Sequence, residues 1–412
     1  QGADPDTGGG GVFNNGGTLD ILNGTTIINN IASGTSGSGG GLLSVAGDVT
    51  VTDSNFETNA ANRAGGAIEI IDGTLTFESS IMTRNDVNSA AGTPNPGNGG
   101  GLHVTGTSST IDILTSTITG NFAANEGGGL WNQNGTTMNI VDSTIDTNDA
   151  PEGGGIYNNG GGIVTVMTST VSGNTASVSG AGIQNNGASF DLNAVTVANN
   201  VSSGTGGGIE STTTTSLKNT LVATNTASSG VDVNGTFVSN DYNLIGNDDA
   251  GAFPEQANDI EGADPMLGPL QNNGGTTETH ELLVGSVAYN AGDPADLFDD
   301  QIGQTVFQGR RDIGAFEAQD ILLSIDDIVD SGSGIVIYPN PSQGTATIAI
   351  PVQFGSEIQV TIIELGSGKI VKRFSSVTGA NDVSFNGMAN GVYIITVVSE
   401  KASSTHRLIL AK

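Results

Sequence analysis

The sequence predicts an all-β protein in two parts. The first is a right-handed parallel β-helix of about eight coils with a C-terminal capping segment, and the second is a small immunoglobulin-like β-sandwich. Three observations carry this: a phased repeat near 26 residues, glycine at 64 of 412 positions without collagen's three-residue period, and a break in charge near residue 335. Ile, Leu, Val and Phe make up about a quarter of the chain, above the level at which an acidic chain stays disordered.

The repeat comes first. A block of small residues followed by an aliphatic recurs eight times: Gly9-Gly10-Gly11-Val12, Gly39-Gly40-Gly41-Leu42, Gly65-Gly66-Ala67-Ile68, Gly99-Gly100-Gly101-Leu102, Gly127-Gly128-Gly129-Leu130, Gly153-Gly154-Gly155-Ile156, Gly180-Ala181-Gly182-Ile183 and Gly206-Gly207-Gly208-Ile209. Between blocks stands an apolar residue with Asn three positions later, from Ile27/Asn30 and Phe56/Asn59 to Val197/Asn200 and Val222/Asn225. The period is too short for a βαβ unit, and short alternating runs such as Val164-Thr165-Val166 read as strands. One such unit cannot bury its apolar face alone, whereas stacked units can. The glycines then serve corners with positive φ and close backbone approach. Asn30, Asn59, Asn85, Asn121, Asn148, Asn174, Asn200 and Asn225 stack as an amide ladder, in residues that also tolerate a left-handed turn. Asn132, Asn158 and Asn185 form a second, shorter ladder.

Residues 1–230 hold the repeats, and 231–319 form an end segment that covers the open edge of the last coil. Residues 320–334 are an acidic linker. Residues 335–412 contain seven strand-like runs, at 335–338, 345–352, 357–364, 369–374, 382–385, 392–398 and 406–411, which is the pattern of a small β-sandwich. Charge divides at the same place: 1–335 carries 38 acids and 5 bases, 336–412 carries 4 acids and 6 bases.

Three resemblances follow from these residues. The pairing of Gly65-Gly66-Ala67-Ile68 with Phe56-x-x-Asn59 resembles the repeats of polymorphic outer-membrane proteins and adhesin-like β-helices. The series Asn243-Leu244-Ile245-Gly246, Gly262-Ala263-Asp264-Pro265, Asn273-Gly274-Gly275, Asp300-Gln301-x-Gly303 and Asp312-Ile313-Gly314-Ala315-Phe316-Glu317 resembles a choice-of-anchor segment, with Ile302 where that family usually has Arg. The C-terminal domain resembles the type A sorting domain of the type IX secretion system of Bacteroidota. That match rests on Tyr338-Pro339-Asn340-Pro341 with Gly344, Gly368-Lys369, Gly391-x-Tyr393 and the stretch Arg407 to Lys412. It implies export across the outer membrane to the cell surface or beyond, with the translocon and its outer-membrane shuttle as partners, then cleavage and attachment to a surface glycolipid.

A net charge of −31 argues against nucleic acid as a partner, and no apolar run is long enough for a transmembrane helix. The chain contains no Cys, so no thiolate chemistry is available. It opens at Gln1 rather than Met, as a mature or trimmed product would, and an uncapped first coil would allow end-to-end stacking.

Catalysis on a β-helix would need paired carboxylates, or acids holding Ca²⁺ beside a base. Only Arg63, Arg84 and Lys218 supply bases in the first 250 residues. The nearest approach to a site is Glu57, Arg63, Arg84 and Asp86 on adjacent coils. His103 and His280 are isolated, and His406 lies in the C-terminal domain. No cofactor is expected beyond Ca²⁺ at Asp293, Asp296, Asp299 and Asp300, and Asp142-Ser143-Thr144 resembles an O-glycosylation signal. The residue after each inward aliphatic faces outward. That column places His103, Trp131 and Tyr157 on consecutive coils as an exposed aromatic stripe for a glycan or protein ligand. The expected function is a non-enzymatic adhesin-like or structural surface protein. The alternative is a carbohydrate-active β-helix enzyme, a polysaccharide lyase or glycosidase.

Overall fold

The computed structural model describes residues 9–88, 97–319, 334–365 and 369–411. Gln1, the linker except Gly334, Gly368 and Lys412 lie outside the described residues. The chain divides into two compact units, 1–320 and 321–412.

In the first unit the first seven repeats each form one coil of four short strands, while in the eighth the first two merge into Ile209–Lys218. In the fifth coil these are Leu130–Asn132, Thr137–Val141, Thr144–Asp146 and Asp149–Glu152. Every strand pairs in parallel with its equivalents above and below. Leu130 sits between Leu102 and Ile156, and Ile145 between Ile118 and Val171. Among the described residues the ladders form sheets of 16, 10 and 7 strands. The aliphatics after the glycine blocks, from Leu42 to Ile209, are fully buried, as is the apolar column from Phe56 to Val222. Burying one such side chain stabilises by about 1.5–3 kcal/mol, which makes this column the main source of cohesion.

The glycine corner is as tight as the repeat requires. Gly127 has φ +64°, and a Cβ on Gly128 would lie 2.5 Å from the Gly154 oxygen and 2.6 Å from that of Asp149. The left-handed turn, however, is not at the ladder asparagines. It falls one residue earlier, at Asn29, Thr58, Arg84, Gly120, Thr147, Gly173, Asn199 and Thr224. The Asn itself bonds across coils, and its preceding neighbour takes the left-handed position.

The solenoid has about nine turns, one more than eight glycine blocks imply. Val233–Ser239 pairs with Ile209–Lys218, and Leu244–Ile245 with Leu221–Ala223. This ninth block reads Gly230-Val231-Asp232-Val233, so two of its glycines are replaced and the signature is lost. Ile260–Glu261 adds one more strand at that end.

Residues 263–319 do more than close the last coil. They run back as a strap along the outer flank of the ten-stranded sheet. Gln301 donates to Thr144 and accepts from Thr170, Ser172 contacts His280 at 2.8 Å, and the Ala315 amide donates to Thr196. Thr277 donates to the Asp142 carbonyl. Ile302 packs against Gly275, whose missing Cβ would lie 2.3 Å from Ile302 Cγ2. An apolar contact thus occupies the place where the resemblance would put Arg.

Among its described residues the second unit has seven strands: Val336–Tyr338, Thr345–Ile350, Ile358–Glu364, Lys369–Ser376, Gly379–Ser384, Gly391–Ser399 and Ser403–Leu410. They form antiparallel sheets of three and four strands. Ile348, Ile350 and Phe385 meet Val360, Ile362, Ile395 and Leu408 in one core, as a small β-sandwich requires.

Candidate functional site

The amide ladder is complete and directional. Each Asn Nδ2 donates to the Oδ1 of the next, from Asn30 through Asn59, Asn85, Asn121, Asn148, Asn174 and Asn200 to Asn225, at 2.9–3.1 Å. Each Oδ1 also accepts the backbone N–H of the preceding ladder Asn. The last donor, Asn225, ends on Asp232 Oδ1 at 2.8 Å. Asp232 occupies the third position of the ninth block and also accepts the Asn225 backbone N–H, a bond that a glycine there could not make. Burial pushes its carboxyl up to about 6. The second ladder links Asn132, Asn158 and Asn185. A third was missed: Ser54, Ser80, Ser116, Ser143 and Ser169, in which each backbone N–H meets the hydroxyl of the next. Its signal, Ser two residues before the buried apolar position, is present in all five coils.

The aromatic column exists but is not exposed. His103 and Trp131 stack at 4.3 Å, and Trp131 and Tyr157 at 6.4 Å. Their exposures are 3 %, 4 % and 4 %, so their ring faces are turned onto each other and not toward a ligand. The cause is the glycine corner, which folds over the column. A Cβ on Gly99, Gly127 or Gly153 would strike the Cβ of His103, Trp131 or Tyr157. Beside the stack, Glu126 accepts from Trp131 Nε1 at 2.9 Å. Burial and the Glu126 charge raise the Tyr157 phenol. One coil earlier, Glu69 is wholly buried. Arg63 bonds its Oε1 at 2.7 Å and His103 Nδ1 lies 3.1 Å away. Burial opposes ionisation of Glu69, but His103 and Arg63 outweigh it and hold the carboxyl below its usual range. Trp131→Ala should therefore cost about 3–5 kcal/mol of stability, read by denaturant unfolding. A loss below about 1 kcal/mol would show that the stack does not pack the corner.

The remaining candidates separate. Glu57 pairs with Arg84 while Arg63 turns to Glu69, so the proposed four-residue cluster is not assembled. The four candidate Ca²⁺ ligands do not converge either. Lys218 Nζ lies 2.9 Å from both Asp293 and Asp296, its ammonium standing where a cation would sit. Asp300 instead accepts backbone N–H groups from Ile302, Gln304 and Glu317. Among the described residues no group of three or more His, Asp or Glu is placed to hold a metal. Ser143 and Thr144 of the glycosylation-like motif are buried, Ser143 in the serine ladder and Thr144 under the strap.

In the second unit the motif loop is tied to the last strand. Asn340 Nδ2 donates to the Arg407 carbonyl at 2.9 Å, and Asn340 Oδ1 accepts from the Ile409 amide at 2.8 Å. Ser342 and Ala411 extend the pairing. The motif and the basic terminal stretch, 67 residues apart, thus form one feature, with Tyr338, Pro339 and Pro341 exposed beside it. Gly344 turns with φ +129°, and Tyr393 is buried, its hydroxyl donating to the Ala389 carbonyl. Lys369 and Gly391 begin strands elsewhere in the four-stranded sheet.

Residues 336–411 match the family model described as the secretion system C-terminal sorting domain. The chain carries a type IX sorting domain. The match spans the whole sandwich and includes every motif residue from Tyr338 to Arg407. A sorting domain of this kind implies export from the cell through the type IX machinery, which is thereby a partner. No helix among the described residues is long and apolar enough to cross a membrane. No curated protein matches the chain.

Proposed function

We propose that the exported solenoid is a non-enzymatic, adhesin-like or structural element of the cell surface. The observation carrying this is the fate of its cations. Arg63, Arg84 and Lys218, the only Lys and Arg residues in the first 250 positions, are each engaged by acids in ion pairs that tie coils or strap together, and His103 is buried against Glu69. A base serving catalysis would have to leave such a pair. What the solenoid offers instead is a regular face. Thr50, Thr76, Asp112, Asn139, Thr165 and Asp191 are aligned on successive coils, with buried residues alternating between them. Such a row repeats every ~4.8 Å and suits contact with an extended polymer or a protein surface. Delivery to the surface, with attachment to a glycolipid there, completes the reading.

The test is incubation of the full chain with a panel of anionic and neutral polysaccharides. Retention on at least one polymer, without new reducing ends or unsaturated products, is expected. Depolymerisation of any of them would replace this reading with the enzyme.

A further inference from the structure

Three carboxyl groups and one guanidinium are sealed inside the strap. Asp300, Asp312 and Glu317 are 3 %, 0 % and 1 % exposed, and Arg311 is 1 %. Arg311 lies over the Phe298 ring, 4.2 Å from its centroid. The carboxylates hold the strap's own loops. Asp312 accepts from the Asn290 and Ala318 amides, and Glu317 from those of Phe307 and Asp312. Asp300 accepts from the Glu317 amide. These loops are the ones that dock on the solenoid: Gln301 follows Asp300, while Gly314 and Ala315, between Asp312 and Glu317, bond Asn219 and Thr196. With all three acids ionised, the cluster would carry two uncompensated negative charges in a water-excluded volume, at several kcal/mol each.

We propose that this cluster is a proton-operated clasp: a proton held among Asp300, Asp312 and Glu317 fastens the strap to the flank of the solenoid, and its loss as pH rises loosens the strap. Burial and the Glu317 charge push Asp312 up to about 7, and burial raises Asp300 and Glu317 as well. The three titrate as a coupled set. An acid raised above its unfolded value stabilises fully below that value and loses the contribution as pH climbs through the folded one. The window therefore runs from about 4 to about 7. The neighbouring groups are Asp142, Asp146 and Lys218 from the solenoid, and Glu278, His280, Asp293, Asp296, Asp299 and Arg310 from the strap. Burial raises Asp142 and Asp146, so they act in the same direction. His280 is lowered by burial and opposes them, since acid removes the acceptor it offers Ser172.

Hydrogen exchange of the full chain tests the clasp. Strap amides, corrected for intrinsic rates, should lose about tenfold protection between pH 5.5 and 8.5, the equivalent of one pKa unit of linkage. Amides of Thr110–Leu114 should not change. Asp312→Asn and Glu317→Gln should each flatten the difference. Equal protection of the wild-type strap at both pH values, or an undiminished difference in both variants, overturns the proposal. Should the variants not fold, the wild-type chain decides alone. Its unfolding in denaturant at pH 7 should release about half a carboxyl proton, and release of none overturns the clasp.

Discussion

An Asn148→Ala variant is expected to lose about 4 kcal/mol of unfolding free energy, because four buried hydrogen bonds are lost at once. Asn148 Oδ1 accepts from the Asn121 backbone N–H and from Asn121 Nδ2, at 3.0 and 2.9 Å. Its Nδ2 donates to the Ile118 carbonyl and to Asn174 Oδ1, at 2.9 and 3.0 Å. The site is fully buried, so water does not readily replace these bonds. Asn30→Ala is the internal control. Asn30 lies at the partly exposed start of the ladder, where water can take up the lost bonds, and about 1 kcal/mol is expected. Solenoid stability is a sum of repeat and interface terms, so a central break also uncouples the coils on either side. Denaturant unfolding of the two full-length variants gives the comparison. Equal losses would mean that the ladder decorates the coil without holding it.

Legibility from the sequence followed periodicity. Glycine corners, inward aliphatics and the asparagine ladder were readable because one physical constraint recurs in each coil. The seven strands of the sandwich were readable for a related reason, the polar–apolar alternation of strands buried on one face. The failures share a different cause. Strand alternation places Trp131 on the outer face, but it cannot show that the corner containing Gly127 folds over it. The four Asp residues at 293–300 look like a cation site until Lys218, some 75 residues earlier, supplies the cation. Nothing periodic marks the strap, whose bonds join residues more than 100 positions apart, as Thr170 does with Gln301. The ninth coil escaped because Asp232 replaces a glycine, and it does so to end the ladder.

The second large effect concerns delivery. Asn340 and Ser342 fasten the sorting motif to the last strand, so removing 336–412 deletes the motif, its support and the basic terminus together. The truncated chain keeps the whole solenoid and strap and is expected to fold, because the two units have separate cores. Without the sorting domain the type IX machinery has nothing to engage, and export should fall to background, a change far larger than any loss of stability would cause.

Cell fractionation of full-length and truncated chains, expressed in a host with an active type IX system, tests this account most directly. The account predicts full-length protein at the cell surface or in the medium, and truncated protein folded and retained in the periplasm. Truncated protein reaching the surface as efficiently as the full chain would contradict it.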